Sequence, residues 1–296
     1  KMLYDGIMDK IAKMPMYKQR IFNGLLNFSK DLLKLDIRIG RLLFWNIHRQ
    51  FGGFLHGFMS GGAPLNIDVE INFNALGFRI LQGYGLTETS PVITVNTYKQ
   101  NRFGSVGKPL PGAKVKILKE NDSSKDGEIL TRGNHVMKGY FRNPEKTAEV
   151  IKRGWFHTGD LGYLDKDGFL YISGRIRNLI VLGAGKKVFP EEVEDVMSRS
   201  SLIKEICVLA KVATKGVRQG CEEVYAVVVP NLDVFEQGER IDIQKIKDKV
   251  TKELSRLSEN LADYKRIVDF EIWNDELPKT ASRKIKRKVV SEMIIK

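Results

Sequence analysis

The chain has 296 residues, of which 42% are hydrophobic and 29% charged. This length and composition predict a soluble globular protein of two domains and exclude a disordered or fibrous chain. No signal peptide is visible, and no apolar run approaches the roughly 18 residues of a membrane span, so a cytoplasmic location is predicted. Cys207 and Cys221 are the only cysteines and are predicted to be buried free thiols in a reducing compartment.

The formal net charge is +13, from 49 Lys and Arg against 36 Asp and Glu. Such a charge could attract nucleic acid, anionic lipid or a phosphorylated ligand. The basic residues are spread along the chain, and their densest cluster lies between Lys279 and Lys288. A nucleic-acid partner is disfavoured because no nucleic-acid motif is present and the aromatic residues do not alternate with a basic stripe.

Residues 1 to about 50 have the apolar spacing of amphipathic helices. The apolar stripes contain Leu3, Ile7, Ile11, Ile21, Leu25, Leu32, Leu33, Leu42 and Leu43. Such basic helices could touch a membrane surface, but packing against the next layer of a domain is the favoured interpretation.

Two strand–loop–helix units are predicted next. The apolar run from Phe54 to Met59 is followed by the glycine turn SGGAPL and a helix that begins near Pro64 and ends near Gly77. A second strand, Phe78 to Leu81, leads into QGYGLTETS. Parallel strands that end in glycine loops predict a ligand at their carboxyl edge. The same glycines could equally be ordinary turn residues.

From Gly104 onward, short β-like runs with Pro-Gly and Asp-Gly turns predict an antiparallel β layer. Within it, Asn143 and Pro144 predict the start of a short helix. The layer ends in a hairpin that turns at Lys166-Asp167-Gly168. Asp160 and Arg175 fall at the strand ends of this hairpin. We expect the carboxylate of Asp160 to point outward beside the guanidinium of Arg175, an arrangement that suits a ribose; a surface ion pair is the alternative.

The remaining residues predict a compact mixed domain after a polar interruption at Arg177-Asn178. Its helices are predicted from Pro190 to about Ser198 and from Ile241 to Leu257. Its strands are predicted at 206–210, 224–229 and 267–272. The domains are therefore expected to span residues 1–176 and 177–296.

Five motifs occur in one order along the chain: SGGAPL, GYGLTE, WFHTGD, GRIRNLIVLGAGKKVFPEEVE and LPKTASRKIKR. Together they resemble the adenylate-forming enzymes, which include acyl-CoA synthetases, luciferase and the adenylation domains of peptide synthetases. The flanking sequence is most similar to bacterial long-chain fatty-acid–CoA ligases. The resemblance implies an α/β fold: the C-terminal part of a large α/β and β-barrel-like domain, followed by a small mobile α+β domain.

The resemblance also implies a reaction and its ligands. A fatty acid attacks the α-phosphorus of ATP to give acyl-AMP, with Mg²⁺ present, and coenzyme A then takes the acyl group. Gly61, Gly62 and Ala63 would border the adenine, Tyr84 would stack on it, and the adjacent Gly83 would also contact the nucleotide. Thr87 would contact the α-phosphate, Glu88 would hold the metal, and Asp160 with Arg175 would bind the ribose.

Lys284 resembles the mobile lysine that bridges phosphate and carboxylate during adenylation. Arg177 and Asn178 resemble the family's hinge, about which the small domain would swing to bring the loop 183–187, with Gly185 and Lys186, to the site for thioester formation. One departure is Arg283, which stands where the family usually has Gly.

The phosphate loop expected upstream is missing, so residues 1–296 are expected to be a fragment that is inactive or weak by itself. Ligases of medium-chain or aryl acids, and a non-catalytic nucleotide- or CoA-binding module, remain alternatives. A peripheral membrane contact and a homodimer also stay open.

Overall fold

The structure is a computed structural model that describes residues 2–121, 124–183, 185–214, 219–236, 238, 242–280 and 283–294. Two compact units are present. Unit 1 comprises residues 1–158 and 162–172, and unit 2 comprises residues 159–161 and 173–296. No helix in the described part of the chain is long and apolar enough to cross a membrane.

Unit 1 begins with the predicted helices: α1 (Met2–Ala12), α2 (Met16–Lys34), α3 (Gly40–Leu43) and α4 (Trp45–Gln50). They pack on α5 (Ile67–Ala75), where Phe22 and Leu26 join Phe73 in one core. The predicted stripes were wrong at Leu3, Ile21 and Leu42, which are 41%, 59% and 80% exposed. The buried face of α2 instead carries Phe22, Leu26 and Ser29.

The predicted parallel pair is confirmed as β1 (Gly57–Ser60) and β2 (Arg79–Tyr84). Asn66 caps α5 by accepting from the backbone N–H groups of Asp68 and Val69, so this helix begins later than Pro64. The helix ends at Ala75, and Gly77 follows just after its C-cap with a φ of +95° that suits glycine. The second helix was a wrong prediction, because β2 is followed by a single 3₁₀ turn and then by the antiparallel strands β3 (Thr94–Val95) and β4 (Lys108–Pro109).

The predicted β layer follows along the chain as a five-stranded sheet. Its strands are β5 (Lys114–Leu118), β6 (Gly127–Arg132), β7 (Ile151–Lys152), β8 (Trp155–Leu164) and β9 (Leu170–Arg175), and the short helix α6 (Pro144–Val150) precedes β7. Asn143 caps α6 as predicted, by accepting from the backbone N–H of Lys146. Gly168 turns the hairpin between β8 and β9 with a φ of +81°.

After this hairpin, unit 2 continues with a 3₁₀ turn (Ile176–Asn178) and a small ribbon, β10 (Ile180–Val181) with β11 (Lys187–Val188). Its main sheet has the order β12 (Ile203–Val212), β13 (Glu222–Pro230) and β14 (Asp269–Ile272). Three helices complete it: α7 (Pro190–Met197), α8 (Ile243–Ser258) and α9 (Arg287–Ile294). The predicted helix start at Ile241 lies outside the described residues.

Alternating residues of β12 and β13 divide the core of unit 2 into two layers. One face, including Val208 and Ala226, packs with residues of α7 and α8. The other face, including Cys207 and Val227, packs with Val290 of α9. Both cysteines are free thiols; Cys207 is buried as predicted, whereas Cys221 is only half-buried. Burial raises the pKa of the Cys207 thiol to about 12, so this thiol is uncharged.

Candidate functional site

The first part of the candidate site is the carboxyl edge of β1 and β2. Ser60 pairs with Gln82 at this edge, so the two glycine loops leave the sheet side by side. Gly61, Gly62 and Ala63 are exposed, and Gly62 has a φ of +81°. A Cβ on Gly61 would lie 3.3 Å from the carbonyl oxygen of Gly83. The structure thus brings together the residues that the resemblance assigns to the nucleotide.

The second loop is held in place by β3. Tyr84 pairs with Thr94 in an antiparallel ladder, and the Tyr84 carbonyl accepts from the backbone N–H of Ile93 at 2.8 Å. A Cβ on Gly85 would lie 1.8 Å from the carbonyl oxygen of Pro91, so only glycine fits there. Tyr84 is half-buried.

Thr87 and Glu88 lie on the 3₁₀ turn Thr87–Thr89. The buried Thr89 hydroxyl accepts from the backbone N–H of Leu86 at 2.9 Å and fixes this turn. Thr87 is exposed, and Glu88 is half-buried. The Tyr140 hydroxyl donates to Oε1 of Glu88 at 3.0 Å, a contact that the sequence did not predict. Burial, and then Glu88, raise the pKa of Tyr140, so this hydroxyl stays a donor.

A buried carboxyl on α5 links this helix to β2, next to the second glycine loop. Oε2 of Glu70, on α5, accepts from the side-chain amide of Gln82 at 2.8 Å and from the backbone N–H of Gly104 at 2.9 Å. The Glu70 side chain is fully buried, and burial raises its pKa to about 7. Oε1 has no hydrogen-bond partner among the described residues. Glu70 therefore connects the helix after the first loop to the strand before the second.

Asp160 and Arg175 lie together, as the hairpin predicted. Nε of Arg175 donates to Oδ1 of Asp160 at 2.9 Å. Gly159 has the positive φ, +70°, that a bend before Asp160 requires. The expected outward orientation of the carboxylate was wrong, because Asp160 is only 3% exposed. Its side chain is held by the neighbouring guanidinium instead of projecting freely into solvent.

The polar interruption after Arg175 is tied to α7. The side-chain amide of Asn178 donates to Oε1 of Glu191 at 2.6 Å. The guanidinium of Arg287 lies 3.6 Å from the same oxygen and donates to both carboxylate oxygens of Glu194, at 2.8 and 3.0 Å. Asn178 is therefore connected through Glu191 to Arg287, the first residue of α9. Arg287 lies three positions after Lys284.

Lys284 lies at the end of a tight loop. The backbone N–H of Thr280 donates to the carbonyl of Lys284 at 2.8 Å, and the Thr280 hydroxyl accepts from the backbone N–H of Lys284 at 3.1 Å. Arg283 has a φ of +61°, the left-handed conformation that glycine adopts most readily. Its neighbour Ser282 lies outside the described residues. The Lys284 side chain is exposed.

Gly185 and Lys186 lie in the turn between β10 and β11. The backbone N–H of Gly185 donates to the Leu182 carbonyl at 2.7 Å, and Gly185 has a φ of +71°. The ammonium of Lys186 lies 4.8 Å from the centre of the Tyr264 ring. Ala184 of the same loop lies outside the described residues.

The carboxylate of Glu88 fits a magnesium ion that is also bound by phosphate. No group of three or more His, Cys, Asp or Glu side chains suitable for a metal occurs in the described part of the chain. Mg²⁺ is commonly held by one or two carboxylates together with substrate phosphates and water. The half-buried carboxylate of Glu88 can supply one such ligand.

Two family models match the chain. The model described as AMP-binding enzyme matches residues 8–141, and that described as AMP-binding enzyme C-terminal domain matches residues 192–284. The chain therefore belongs to the adenylate-forming, AMP-binding enzyme family, as the motifs predicted.

Curated relatives include two bacterial long-chain-fatty-acid–CoA ligases. The protein from Mycobacterium bovis is 40% identical over 169 residues, which is 57% of this chain and 27% of the relative. The protein from Escherichia coli O157:H7 is 33% identical over 299 aligned positions, which is 96% of this chain and 46% of the relative. The chain thus spans less than half the length of either relative.

Solved structures show the same α/β fold. O-succinylbenzoate coenzyme A synthetase from Bacillus subtilis, in complex with ATP and magnesium, has a TM-score of 0.66 and 30% identity and covers 79% of this chain and 46% of its own. ATP-bound MatB from Rhodopseudomonas palustris has a TM-score of 0.64 and 32% identity, with coverage of 80% and 45%.

Proposed function

We propose that this chain provides nucleotide-binding and mobile-domain residues of an ATP-dependent long-chain fatty-acid–CoA ligase. The observation that carries the proposal is the match to a ligase of this name along 96% of the chain. The paired loops at Gly61 and Gly83 support it, because they form the kind of strand edge at which α/β proteins bind nucleotides.

In the proposed first half-reaction, a fatty-acid carboxylate attacks the α-phosphorus of ATP, which forms acyl-AMP and releases pyrophosphate. Negative charge grows on the α-phosphate oxygens, so fixed donors and cations at that point lower the barrier. The hydroxyl of Thr87 and the ammonium of Lys284 are assigned this role. Mg²⁺ held by Glu88 would neutralise phosphate charge when bound.

In the proposed second half-reaction, the thiol of coenzyme A attacks the acyl carbon and AMP leaves. The small domain, residues 177–296 in this proposal, carries Lys284 away and presents the loop with Gly185 and Lys186. The Asn178–Glu191 hydrogen bond supports a bend before Asn178, because it fastens Asn178 to α7 of the same unit. A cytoplasmic location is part of the same proposal.

The acid substrate is the finer part of the proposal. The synthetase from Bacillus subtilis is named for O-succinylbenzoate, and another structural relative, of 25% identity, is an anthranilate CoA ligase. An aryl-acid ligase is therefore the second candidate. Pyrophosphate exchange into ATP by the full-length gene product that contains this chain, measured with palmitate, O-succinylbenzoate and anthranilate in turn, separates the two. Exchange with palmitate alone is expected; exchange with an aryl acid alone would overturn the long-chain assignment.

The variant Lys284→Ala tests the mechanism in the same gene product. We expect exchange to be lost, while thioester formation from supplied acyl-AMP is retained, because the lysine acts in the first half-reaction only. Lys286→Ala is the matched control, since Lys286 is also exposed and lies two positions away. An equal loss of both half-reactions in Lys284→Ala would contradict the assigned role.

A further inference from the structure

A cavity lies in unit 1, away from the glycine loops. The cavity has a volume of about 490 Å³, within the range of small-molecule sites. Its lining includes three arginines, a histidine, an asparagine and a tyrosine: Arg38, Arg41, Arg79, His56, Asn74 and Tyr98. Arg79 is the first residue of β2 and pairs with Gly57, the first residue of β1. This arginine pocket is therefore at the amino edge of the two strands, opposite the candidate nucleotide edge.

Arg41 is held firmly by the main chain. Its guanidinium donates to the Leu55 carbonyl at 3.1 Å and to the Gly53 carbonyl, and it lies 3.3 Å from Nδ1 of His56. The backbone beside it is closely packed, because a Cβ on Gly40 would lie 2.1 Å from the Ala75 carbonyl oxygen. The position of this cation is thus set before any ligand arrives.

Arg38 and Arg79 are oriented by neighbouring side chains. The Asn74 amide donates to the Glu70 carbonyl at 2.9 Å, which turns its oxygen toward Arg38 at 3.5 Å. Arg79 stacks on the Tyr98 ring, with 5.1 Å between the guanidinium carbon and the ring centre. It also donates to the Tyr98 carbonyl at 3.3 Å. Because a guanidinium has five N–H donors, these contacts leave both arginines with donors for a ligand.

The positive charge of the pocket favours an anionic ligand. Its described lining contains no Asp or Glu. Asp36 pairs with Arg38, but its side chain is 86% exposed, where solvent weakens the pairing. Planar guanidinium forks match the oxygens of a phosphoryl group better than a single ammonium does. We propose that this arginine pocket binds a phosphoryl anion with two or more negative charges.

Such a group could belong to a free phosphate compound or to a lipid headgroup. Leu42, the neighbour of Arg41, is 80% exposed, and Phe54, two residues before His56, is 87% exposed. Exposed apolar side chains beside phosphate-binding cations are typical of a lipid surface. The experiment therefore has one arm for each source.

In the first arm, the 296-residue chain is titrated with inorganic pyrophosphate by calorimetry at constant ionic strength. In the second, it is sedimented with phosphatidylcholine vesicles that contain or lack phosphatidic acid. The variants Arg38→Gln and Arg79→Gln each remove one cation from the lining. Arg20→Gln is the control, because it removes the same charge from an exposed position on α2. Arg41 is left intact, since it also holds the main chain.

We expect saturable binding in at least one arm, weakened about tenfold by either pocket variant and unchanged by Arg20→Gln. Binding in the first arm alone identifies a free phosphate compound as the ligand, and binding in the second alone identifies a lipid headgroup. Circular dichroism melting of each variant shows whether it is folded. Absence of binding in both arms, or binding that Arg38→Gln and Arg79→Gln leave unchanged, would overturn the proposal. If pyrophosphate bound at the nucleotide edge instead, Arg38→Gln and Arg79→Gln would leave its binding unchanged.

Discussion

The hydroxyl of Tyr140 donates to Oε1 of Glu88 across 52 positions of sequence, at 3.0 Å. The segment around Tyr140 is fixed to the same turn by its backbone, because the N–H of Met137 donates to the Glu88 carbonyl at 2.8 Å. One oxygen of the carboxylate is thereby oriented, and the hydroxyl acts as an outer partner of the proposed metal ligand.

Tyr140→Phe is therefore expected to weaken the use of magnesium without removing the ligand. The Mg²⁺ concentration for half-maximal pyrophosphate exchange by the full-length gene product should rise about 10- to 100-fold. Phe141→Leu serves as control, because Phe141 is the adjacent aromatic and is 87% exposed. An unchanged Mg²⁺ requirement in Tyr140→Phe would show that the hydrogen bond does not orient a metal ligand.

Glu70 makes the stability of unit 1 depend on pH. Burial raises its pKa from the ordinary 4.5 to about 7 in the folded protein, so the folded state binds this proton more tightly than the unfolded state does. The resulting stabilisation is complete below pH 4.5 and is lost as the pH rises through 7. Its full size is about 3 kcal/mol, since one pKa unit corresponds to about 1.4 kcal/mol.

Glu70→Gln should remove this dependence, because the amide keeps an acceptor for Gln82 and Gly104 but does not ionise. We expect the difference in unfolding free energy between variant and parent to grow in the variant's favour from pH 5 to pH 8. Urea unfolding followed by tryptophan fluorescence at each pH measures it. Glu149→Gln, an exposed change on α6, controls for charge. Parallel curves for Glu70→Gln and the parent would contradict the prediction.

Arg287 neutralises a carboxylate inside unit 2. Its two donor nitrogens contact both oxygens of Glu194, and the side chains are only 18% and 19% exposed. Arg287→Ala would leave Glu194 buried without its cation, which costs about 3–5 kcal/mol. Arg256→Ala is the matched control in the same unit. Arg256 also forms a bidentate pair, with Glu253, but its side chain is 65% exposed.

Amide hydrogen exchange in β13 reads the stability of unit 2 by itself. Arg287→Ala should accelerate exchange there strongly, whereas Arg256→Ala should change the stability by about 1 kcal/mol or less. Similar acceleration in both variants would mean that burial of the Glu194 pair has no special effect.

Residue types at helix ends predicted where helices begin and end, but the choice of the buried helix face depends on tertiary contacts that the local sequence does not contain. Asn143 with Pro144 marked the start of a helix, and Gly77 the end of another, because the capping side chain, the proline ring and the positive φ all act locally. Helical periodicity alone could not tell which apolar stripe of α2 faces the core, because Ile21 and Phe22 are both apolar and only packing on α5 decides.

The candidate site divides in the same way. Its glycine loops and Asp160 with Arg175 were predictable because short motifs and a hairpin bring them together. The partners Tyr140 and Glu70 were missed because they lie 52 and 12 positions from the residues they contact. No local pattern marks such a contact, and a lone Glu in a helix normally indicates a solvated face.

Arg283 shows that a backbone conformation can persist where the expected residue is absent. It has a φ of +61° in the turn before Lys284, and its backbone N–H donates to the Thr280 carbonyl at 2.9 Å. A non-glycine residue in this conformation costs about 1–2 kcal/mol. Glycine removes the strain but loses about 0.5–1 kcal/mol to the freedom of the unfolded chain.

Arg283→Gly should therefore stabilise this loop by about 0–1.5 kcal/mol. Arg283→Val should destabilise it further than the parent, because a β-branched side chain tolerates a positive φ poorly. Hydrogen exchange at the amide of Lys284, which donates to the Thr280 hydroxyl, measures the effect directly. Equal acceleration of exchange in both variants, relative to the parent, would show that the arginine side chain, and not the turn conformation, positions Lys284.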